Sequence, residues 1–271
     1  MKTRYTFAQV RASLPAEKRR QDGTVTRFFY RPLSMPAAWL FLRMGFSPNA
    51  VTYLGILCSI AGFVLALIPS MAFQYGAVAA FALFAVCDCA DGNMARTIRF
   101  AAAESSPADN SAASAPNPHG EWLDALGGYC TYTAILLGMG CSAMFVAGGV
   151  VPGIGWAIPG GSAVWMLIAA AACAGNLLMR LAFQSFRAMS GSSDKSYVGG
   201  EKRFSEEIGI TGWMPPVYLA GVITGFLPWA LVFYAVVYCG GCFLTIIKLL
   251  VKVERAAAEQ RSATKLQGPD E

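Results

Sequence analysis

The stretch MAFQYGAVAAFALFAVC, residues 71–87, contains no charged side chain and ends directly before Asp88. An α-helix needs about 20 apolar residues to cross the roughly 30 Å apolar core of a bilayer, and this stretch approaches that length. Its apolar residues form a continuous block, whereas the strands of a membrane β-barrel alternate apolar and polar residues. We therefore predict a membrane-spanning helix with an acidic group at one end.

The whole chain has the composition of a membrane protein. Of its 271 residues, 55% are apolar and only 14% are charged, and the mean hydropathy is +0.47. Soluble domains carry about 25% charged residues. The apolar runs predict an all-α integral membrane protein with six transmembrane helices, at residues 48–68, 71–87, 122–151, 161–179, 208–227 and 228–247.

The positions of the basic residues indicate the orientation of the chain. The turns at residues 69–70, 152–160 and 228 contain no Lys or Arg, so all 21 basic residues fall on the opposite side. The positive-inside rule then predicts a multi-pass protein of the inner or cytoplasmic membrane, with both termini in the cytoplasm. This orientation and an attraction to anionic lipids explain the net charge of +5, which therefore gives no indication of nucleic-acid binding.

Composition divides the chain into three parts. Residues 1–47 are predicted as a cytoplasmic N-terminus with an interfacial amphipathic helix, because aromatic residues and arginines are interleaved before the first span. Residues 48–254 form the predicted membrane domain. Within it, residues 97–119 contain a stretch rich in Ala, Ser, Pro and Asn, and we predict a flexible cytoplasmic insert there. Residues 255–271 are predicted as a charged cytoplasmic tail.

A polar motif follows the second apolar run, in the string Asp88-Cys-Ala-Asp91-Gly92-Asn-Met-Ala95-Arg96. On a helix with 100° per residue, the two carboxylates share one face with Gly92 and Ala95, and Arg96 lies at the edge of that face. Small residues on this face let a bulky ligand approach the helix, and an arginine beside it can bind a phosphate.

A third carboxylate opens the next span. Asp124 follows Gly120 by four residues, and an antiparallel hairpin of the second and third spans would bring it opposite Asp88 and Asp91. One carboxylate at mid-bilayer costs roughly 2.5–3.5 kcal/mol, so three of them need cations. Carboxylate oxygens are the ligands that Mg²⁺ and Mn²⁺ prefer. We therefore predict a metal site at Asp88, Asp91 and Asp124.

Two other interpretations of these carboxylates stay open at this point. They are compatible with interface residues that pair with Arg96 and Arg99 and face water. A transporter is the other possibility, although transporter sites lie near mid-membrane, whereas these charged residues lie at the cytoplasmic end of the spans.

The string D-x-x-D-G-x-x-A-R, followed by G-x-x-x-D, resembles the signature of the CDP-alcohol phosphotransferase (CDP-alcohol phosphatidyltransferase) family. The resemblance implies a six-helix homodimer with a cytoplasm-facing cavity for a pair of Mg²⁺ or Mn²⁺ ions. It also implies that an acceptor hydroxyl attacks the β-phosphorus of a CDP-linked donor and releases CMP, in phospholipid or related lipid biosynthesis. The implicated residues are Asp88, Asp91 and Asp124 as metal ligands, Gly92, Ala95 and Arg96 as nucleotide-binding residues, and Asn49 and Thr52 as further binding candidates.

The chain departs from this signature at one carboxylate. The signature ends D-x-x-x-D, and its last Asp is a metal ligand and the expected general base, but Gly128 stands four residues after Asp124. Candidate catalytic replacements are Glu121, one turn before Asp124, and His119, whose imidazole suits proton transfer near neutrality. The alternatives are a helix N-terminal carboxylate for Glu121 and a solvated loop residue for His119.

Two arginines close the predicted fourth span. Arg180 and Arg187 are seven residues apart on one helix face, where they could bind the phosphate of an acidic acceptor. Anchoring at the cytoplasmic surface is the alternative role. The sequence thus predicts a metal-dependent CDP-alcohol phosphotransferase, and Gly128 motivates the alternative of a catalytically impaired relative that binds CDP-linked lipid or a partner without turnover.

Overall fold

The structure is a computed structural model that describes residues 5–105, 118–190 and 199–266. In these ranges the regular secondary structure is helical, and one isolated β-bridge joins Val150 and Ala157. The helices are α1 Phe7–Ala12, α2 Ala16–Gln21, α3 Arg31–Met44, α4 Pro48–Ala66, α5 Met71–Ser105, α6 Pro118–Ala147, α7 Ala163–Ser190, α8 Gly199–Ile208, α9 Met214–Thr224 and α10 Leu227–Leu266. A short π-helix, Thr26–Tyr30, leads directly into α3.

Five helices in the described part of the chain are long and apolar enough to cross a membrane, namely α4, α5, α6, α7 and α10. The predicted count of six is not confirmed. The run at 208–227 contains only α9, whose 11 residues extend about 16 Å against a bilayer core of about 30 Å. Two prolines occupy its first turn, and Gly225 ends it with a left-handed φ of 78°.

Two helices continue beyond the predicted limits of their spans. α5 runs through Ser105 and α10 runs to Leu266, so residues 97–105 of the predicted insert and 255–266 of the predicted tail are helical. Thr97 is fully buried, and its hydroxyl donates a hydrogen bond to the Asn93 carbonyl at 2.8 Å and contacts the Ser13 hydroxyl at 3.1 Å. Packing against the N-terminal segment thus supports the extension of α5. The rest of the predicted insert, 106–117, and residues 267–271 of the predicted tail lie outside the described residues.

Glycines allow α4 to pack closely against α5. A Cβ at Gly62 would lie 3.0 Å from the Phe81 ring, and one at Gly55 would lie 3.3 Å from Phe84. Because the two helices form an antiparallel hairpin, this close approach brings the start of α4 next to the acidic motif on α5. Helix α6 packs on the same pair, and α7 and α10 continue the bundle.

The segment before the first span contains α1, α2 and α3, and one of its arginines faces inward. Phe28 is 72% exposed, and the Arg27 guanidinium lies 5.4 Å from its ring centroid. Arg31, by contrast, is only 5% exposed and points towards α5. The location of this segment in the lipid headgroup layer stays a prediction.

Candidate functional site

The three predicted carboxylates line one narrow cleft where α4, α5 and α6 meet. Asp88 and Asp91 come from α5, and Asp124 comes from the first turns of α6. The Thr52 hydroxyl on α4 donates a hydrogen bond to Asp91 Oδ2 at 2.6 Å, which fixes the orientation of that carboxylate. The remaining residues of the lining are Gly55, Phe84 and Gly127.

The chemistry of this cleft suits a hard divalent cation. Its lining contains three carboxylates, one hydroxyl and no basic side chain, and Mg²⁺ and Mn²⁺ prefer oxygen ligands. In the present arrangement, however, no group of three or more His, Cys, Asp or Glu among the described residues is arranged to hold a metal ion. The donor atoms of the cleft therefore fit a divalent metal in kind.

A larger cavity of about 230 Å³ lies on the other side of Asp88. It is formed between the N-terminal segment, the motif on α5 and the connection from α8 to α9. Asp88 lines both the cavity and the carboxylate cleft. The other residues around the cavity are Lys18, Asp22, Gly23, Thr26, Arg31, Cys89, Gly92, Arg96, Glu206 and Thr211.

Hydrogen bonds connect the N-terminal segment to the motif arginine. Arg31 donates to both carboxylate oxygens of Asp22, from Nε at 2.8 Å and from Nη2 at 2.7 Å. Its Nη1 donates to Asn93 Oδ1 at 3.3 Å. The same amide oxygen accepts a hydrogen bond from Arg96 Nη2 at 2.8 Å. Asp22 therefore orients Arg31. The Asn93 amide oxygen accepts from both Arg31 and Arg96 and so holds both guanidinium groups beside the cavity.

Asp22 also determines the electrostatics of Arg31. Burial by itself lowers the pKa of the Arg31 guanidinium, but the hydrogen bond and the charge of Asp22 oppose this effect. The pKa is raised above its ordinary value as a result. The buried guanidinium is thus a stable positive charge at the wall of the cavity, and Lys18 adds a second contact to Asp22 at 3.6 Å.

Hydrogen bonds join the N-terminal segment to the end of α8 and to the connection between α8 and α9. Glu207 accepts hydrogen bonds from the Thr24 backbone N–H at 2.9 Å and from the Thr24 hydroxyl at 2.9 Å. The Thr26 hydroxyl donates to the carbonyl of Thr211. Thr26 and Thr211 both line the cavity, so the last of these contacts fixes part of its wall.

The candidate replacement bases lie away from the cleft. His119 and Glu121 are exposed at the start of α6, and among the described residues neither lines the cleft or the cavity. His119 Nδ1 contacts Asn49 Nδ2 at 3.0 Å, so these two predicted site residues do meet. Ala95 is half-buried on α5 and lines neither space.

Gly128 and Arg180 are brought together by the packing of α6 against α7. A Cβ at Gly128 would lie 4.0 Å from Arg180 Nη1. The Arg180 guanidinium stacks over Tyr132 at 4.5 Å and lies 5.6 Å from the Tyr129 ring centroid. Arg187 lies about two turns further along α7, and within the described residues it lines neither the cleft nor the cavity.

Sequence reasoning missed the residues that the N-terminal segment contributes. Asp22, Lys18 and Thr26 line the cavity, although their sequence context indicates only a charged, surface-associated segment. Asn93 occupies an unspecified position of the motif and yet connects Arg31 with Arg96. A buried ion pair nine residues apart has no periodicity that distinguishes it from surface charges, so no sequence signal identified it.

Comparison with known proteins supports the resemblance over one segment. The family model for CDP-alcohol phosphatidyltransferase matches residues 46–105. This range contains α4 and α5 with Asp88, Asp91, Gly92, Ala95 and Arg96, and it ends before Gly120. No curated protein matches the chain. The resemblance is therefore confirmed for the first half of the motif, and Asp124 and Gly128 lie outside the matched residues.

Proposed function

We propose that this protein transfers a substituted phosphate group from a CDP-linked donor to an acceptor hydroxyl and releases CMP, in the biosynthesis of phospholipids or related lipids. The donor is CDP-diacylglycerol or another CDP-alcohol. The observation that carries the proposal is the position of Asp88, which borders both the 230 Å³ cavity and the carboxylate cleft. A CDP group in the cavity would have its diphosphate next to the three carboxylates.

The basic lining of the cavity supports nucleotide binding. Lys18, Arg31 and Arg96 surround it, and the buried Arg96 Nε has no hydrogen-bond partner among the residues that the structure describes. A Cβ at Gly92 would lie only 3.2 Å from Arg96 Nη2, so the glycine lets this guanidinium lie against the helix. Guanidinium groups bind phosphates through paired hydrogen bonds. We assign CDP binding in the cavity to Gly92 and Arg96, and Thr52 would contact the donor from the cleft. The predicted binding residues Ala95 and Asn49 line neither space within the described residues, so a contact from them would require the donor to extend beyond both.

The cleft carboxylates are proposed ligands for Mg²⁺ or Mn²⁺. Asp88, Asp91 and Asp124 would hold the ions, and Thr52 keeps Asp91 oriented before a ligand arrives. A bound divalent cation would neutralise the negative charge that develops on the diphosphate during phosphoryl transfer. This role explains why three acidic groups line one cleft without a basic residue among them.

The acceptor hydroxyl must lose its proton as its oxygen bonds to the β-phosphorus and the bond to CMP breaks. Asp124 is an exposed carboxylate of the cleft, and we propose it as the first candidate for the base. Glu121 and His119 are the other candidates, but both lie closer to the start of α6. Arg180 and Arg187 on α7 are the proposed binding residues for the phosphate of an acidic acceptor.

Gly128 favours a second candidate function. The position that carries a carboxylate in the family signature faces the guanidinium of Arg180 in this chain. A relative that binds CDP-linked lipid or a partner without turnover would need no base at this position. The membrane location, the cytoplasmic active site and the homodimer belong to both proposals.

Release of CMP is the test that separates the two functions. Purified protein with Mn²⁺ is incubated with CDP-diacylglycerol and a panel of acceptor alcohols, beside the Asp88→Asn variant and the control Tyr75→Phe, which changes an exposed tyrosine of α5. Acceptor-dependent CMP release that Asp88→Asn abolishes and Tyr75→Phe preserves supports the transferase. Cytidine nucleotide binding without release supports the second function, and the absence of both refutes each of them.

A further inference from the structure

The two ends of the helix bundle differ in charge. Three long stretches of the chain contain no Asp, Glu, Lys, Arg or His, namely residues 44–87, 125–179 and 208–247. These stretches include the three connections at the end of the bundle opposite the carboxylate cleft, at residues 67–70, 148–162 and 225–226. The end of the bundle away from the cleft therefore presents no charged side chain.

The longest of these connections, residues 148–162, folds into a small hairpin and is called the far loop below. Its sequence, GGVVPGIGWAIPGGS, contains one hydroxyl group and no amide or charged side chain. The Val151 N–H donates a hydrogen bond to the Trp156 carbonyl at 2.9 Å. The Ile158 N–H donates to the Gly149 carbonyl at 2.8 Å. Main-chain hydrogen bonds thus define the shape of the far loop.

Two tryptophan side chains attach the far loop to the helices behind it. Trp165 in the first turn of α7 donates a hydrogen bond from Nε1 to the Gly148 carbonyl at 2.9 Å. Trp229 in the first turn of α10 donates from Nε1 to the Pro152 carbonyl at 3.1 Å. The position of the far loop relative to α7 and α10 is therefore fixed.

The tip of the far loop exposes its large apolar side chains. Trp156 is 73% exposed and Ile154 is 55% exposed, and these two residues are called the apolar tip below. The exposed Phe226 of the α9–α10 turn lies beside them, since a Cβ at Gly153 would be 3.5 Å from its ring. Exposed apolar patches mark surfaces that interact with a membrane, a protein or a ligand.

The first charge on α10 indicates where the far loop lies relative to a bilayer. Lys248 is exposed, and no charged residue precedes it on α10. At 1.5 Å per residue, Trp229 lies about 28 Å and Leu227 about 32 Å from Lys248 along the helix. The hydrocarbon core of a bilayer is about 30 Å thick, and about 40–45 Å with its headgroups. A tilt of α10 only shortens these distances. With Lys248 at one membrane surface, the far loop lies at the opposite boundary between acyl chains and headgroups.

The chemistry of the far loop favours a lipid surface over a protein partner. Protein interfaces contain roughly one hydrogen bond per 100–200 Å², and the far loop has no amide or charged side chain to form one. Tryptophan is enriched where headgroups meet acyl chains. Irregular main chain surrounded by lipid does not occur within the hydrocarbon core. The body of the loop therefore suits the boundary, and its apolar tip suits the adjacent acyl chains.

We propose that the apolar tip anchors the far loop in the leaflet farther from the carboxylate cleft, at the boundary between headgroups and acyl chains. Its partner is thus a lipid surface, which a connection contacts in addition to the spans. The N-terminal segment, with its predicted interfacial helix, lies at the cleft end of the bundle, so the far loop provides a second attachment at the opposite surface. This inference depends on the membrane-spanning helices and not on the proposed reaction.

The test measures which medium surrounds the Trp156 indole in the full-length protein, reconstituted into phosphatidylcholine vesicles. Subtracting the fluorescence of Trp156→Phe from that of the native protein isolates the emission of Trp156. Phosphatidylcholine brominated near the carbonyl end of its acyl chains quenches from the lipid, and acrylamide on both sides of the membrane quenches from the water. Vesicles without bromine and without acrylamide are the reference. The brominated lipid should lower the Trp156 emission at least twofold, and acrylamide should lower it less.

A second reporter repeats the measurement at the other residue of the apolar tip. Ile154→Trp is introduced into the Trp156→Phe background, and its added emission should respond to the two quenchers in the same order. Quenching by acrylamide that equals or exceeds quenching by the lipid, at either position, would place the tip in water and overturn the inference. The absence of quenching by both would also overturn it, because the tip would then be covered by protein. The measurement uses no substrate, so its outcome is independent of whether the protein releases CMP.

Discussion

The ion pair between Asp22 and Arg31 should stabilise the attachment of the N-terminal segment to the membrane domain. Asp22→Ala removes the acceptor of two hydrogen bonds, at 2.8 and 2.7 Å, from a guanidinium that is 5% exposed. The remaining acceptors of Arg31 are the Cys89 carbonyl at 3.4 Å and Asn93 Oδ1 at 3.3 Å. Both are uncharged and distant, so neither replaces the carboxylate.

The expected loss follows from leaving a buried charge without its partner. Removing one member of a buried ion pair costs about 3–5 kcal/mol, whereas replacing both members by apolar residues of similar volume is often neutral or stabilising. We therefore expect Asp22→Ala to cost about 3 kcal/mol, and Asp22→Leu combined with Arg31→Met to cost clearly less. Lys18→Ala removes only a 3.6 Å contact from a side chain that is 37% exposed, and it should cost less than about 1 kcal/mol.

Thermal unfolding of the detergent-solubilised protein, followed by intrinsic tryptophan fluorescence, measures these effects. The expected order of melting temperatures is native, then Lys18→Ala, then the double variant, with Asp22→Ala lowest. Asp22→Ala should also weaken CDP binding in isothermal titration, because Arg31 and Arg96 share the Asn93 amide oxygen. Equal melting temperatures for Asp22→Ala and Lys18→Ala would refute this reasoning.

Three further predictions concern the cleft carboxylates, Gly128 and the candidate bases. Replacing any one cleft carboxylate (Asp88, Asp91 or Asp124) by Asn should weaken Mn²⁺ binding in isothermal titration without lowering the melting temperature. The control Glu254→Gln, which changes an exposed residue of α10, should leave the Mn²⁺ affinity unaltered. An unchanged Mn²⁺ affinity in all three Asn variants would remove the metal assignment. Gly128→Asp should place a carboxylate beside Arg180 and raise the KM of anionic acceptors. CMP release should rise only in the double variant Gly128→Asp with Arg180→Gln, by up to ~10²–10⁴-fold over Arg180→Gln alone. Faster release by Gly128→Asp alone, with an unchanged acceptor KM, would contradict an ion pair between the introduced carboxylate and Arg180. If Glu121 or His119 is the base, Glu121→Gln or His119→Ala should reduce turnover and leave nucleotide affinity nearly unchanged.

The apolar runs of the sequence were sufficient to place the five long helices. The apolar run at 71–87 predicted a span, and α5 begins at Met71. The same reasoning ended that span at Cys87, because charge marks the edge of a membrane but not the end of a helix. α5 continues to Ser105, where burial of Thr97 and helix-favouring alanines support it.

The acidic motif could also be recognised from sequence, because its residues lie within one helix. A spacing of three or four residues fixes a shared helix face whatever the surrounding fold. Asp88 and Asp91 accordingly line one cleft. Asp124 required one further assumption, that two consecutive spans run antiparallel, and Asp124 does line the same cleft as Asp88 and Asp91.

The wall of the cavity was decided by tertiary structure alone. The hydrogen bond between the cavity residues Thr26 and Thr211 joins residues 185 positions apart. Outside the cavity, the Gly128 position likewise faces Arg180 only because α6 packs against α7. No local spacing predicts such contacts, since they depend on how the helices pack across the bundle. The sequence by itself determined that the chain spans a membrane and carries an acidic helix face. The fold determined which distant charges, amides and hydroxyls lie next to that face. The sequence pattern is compatible with many contacts between helices, and close packing of the side chains selects one set of them.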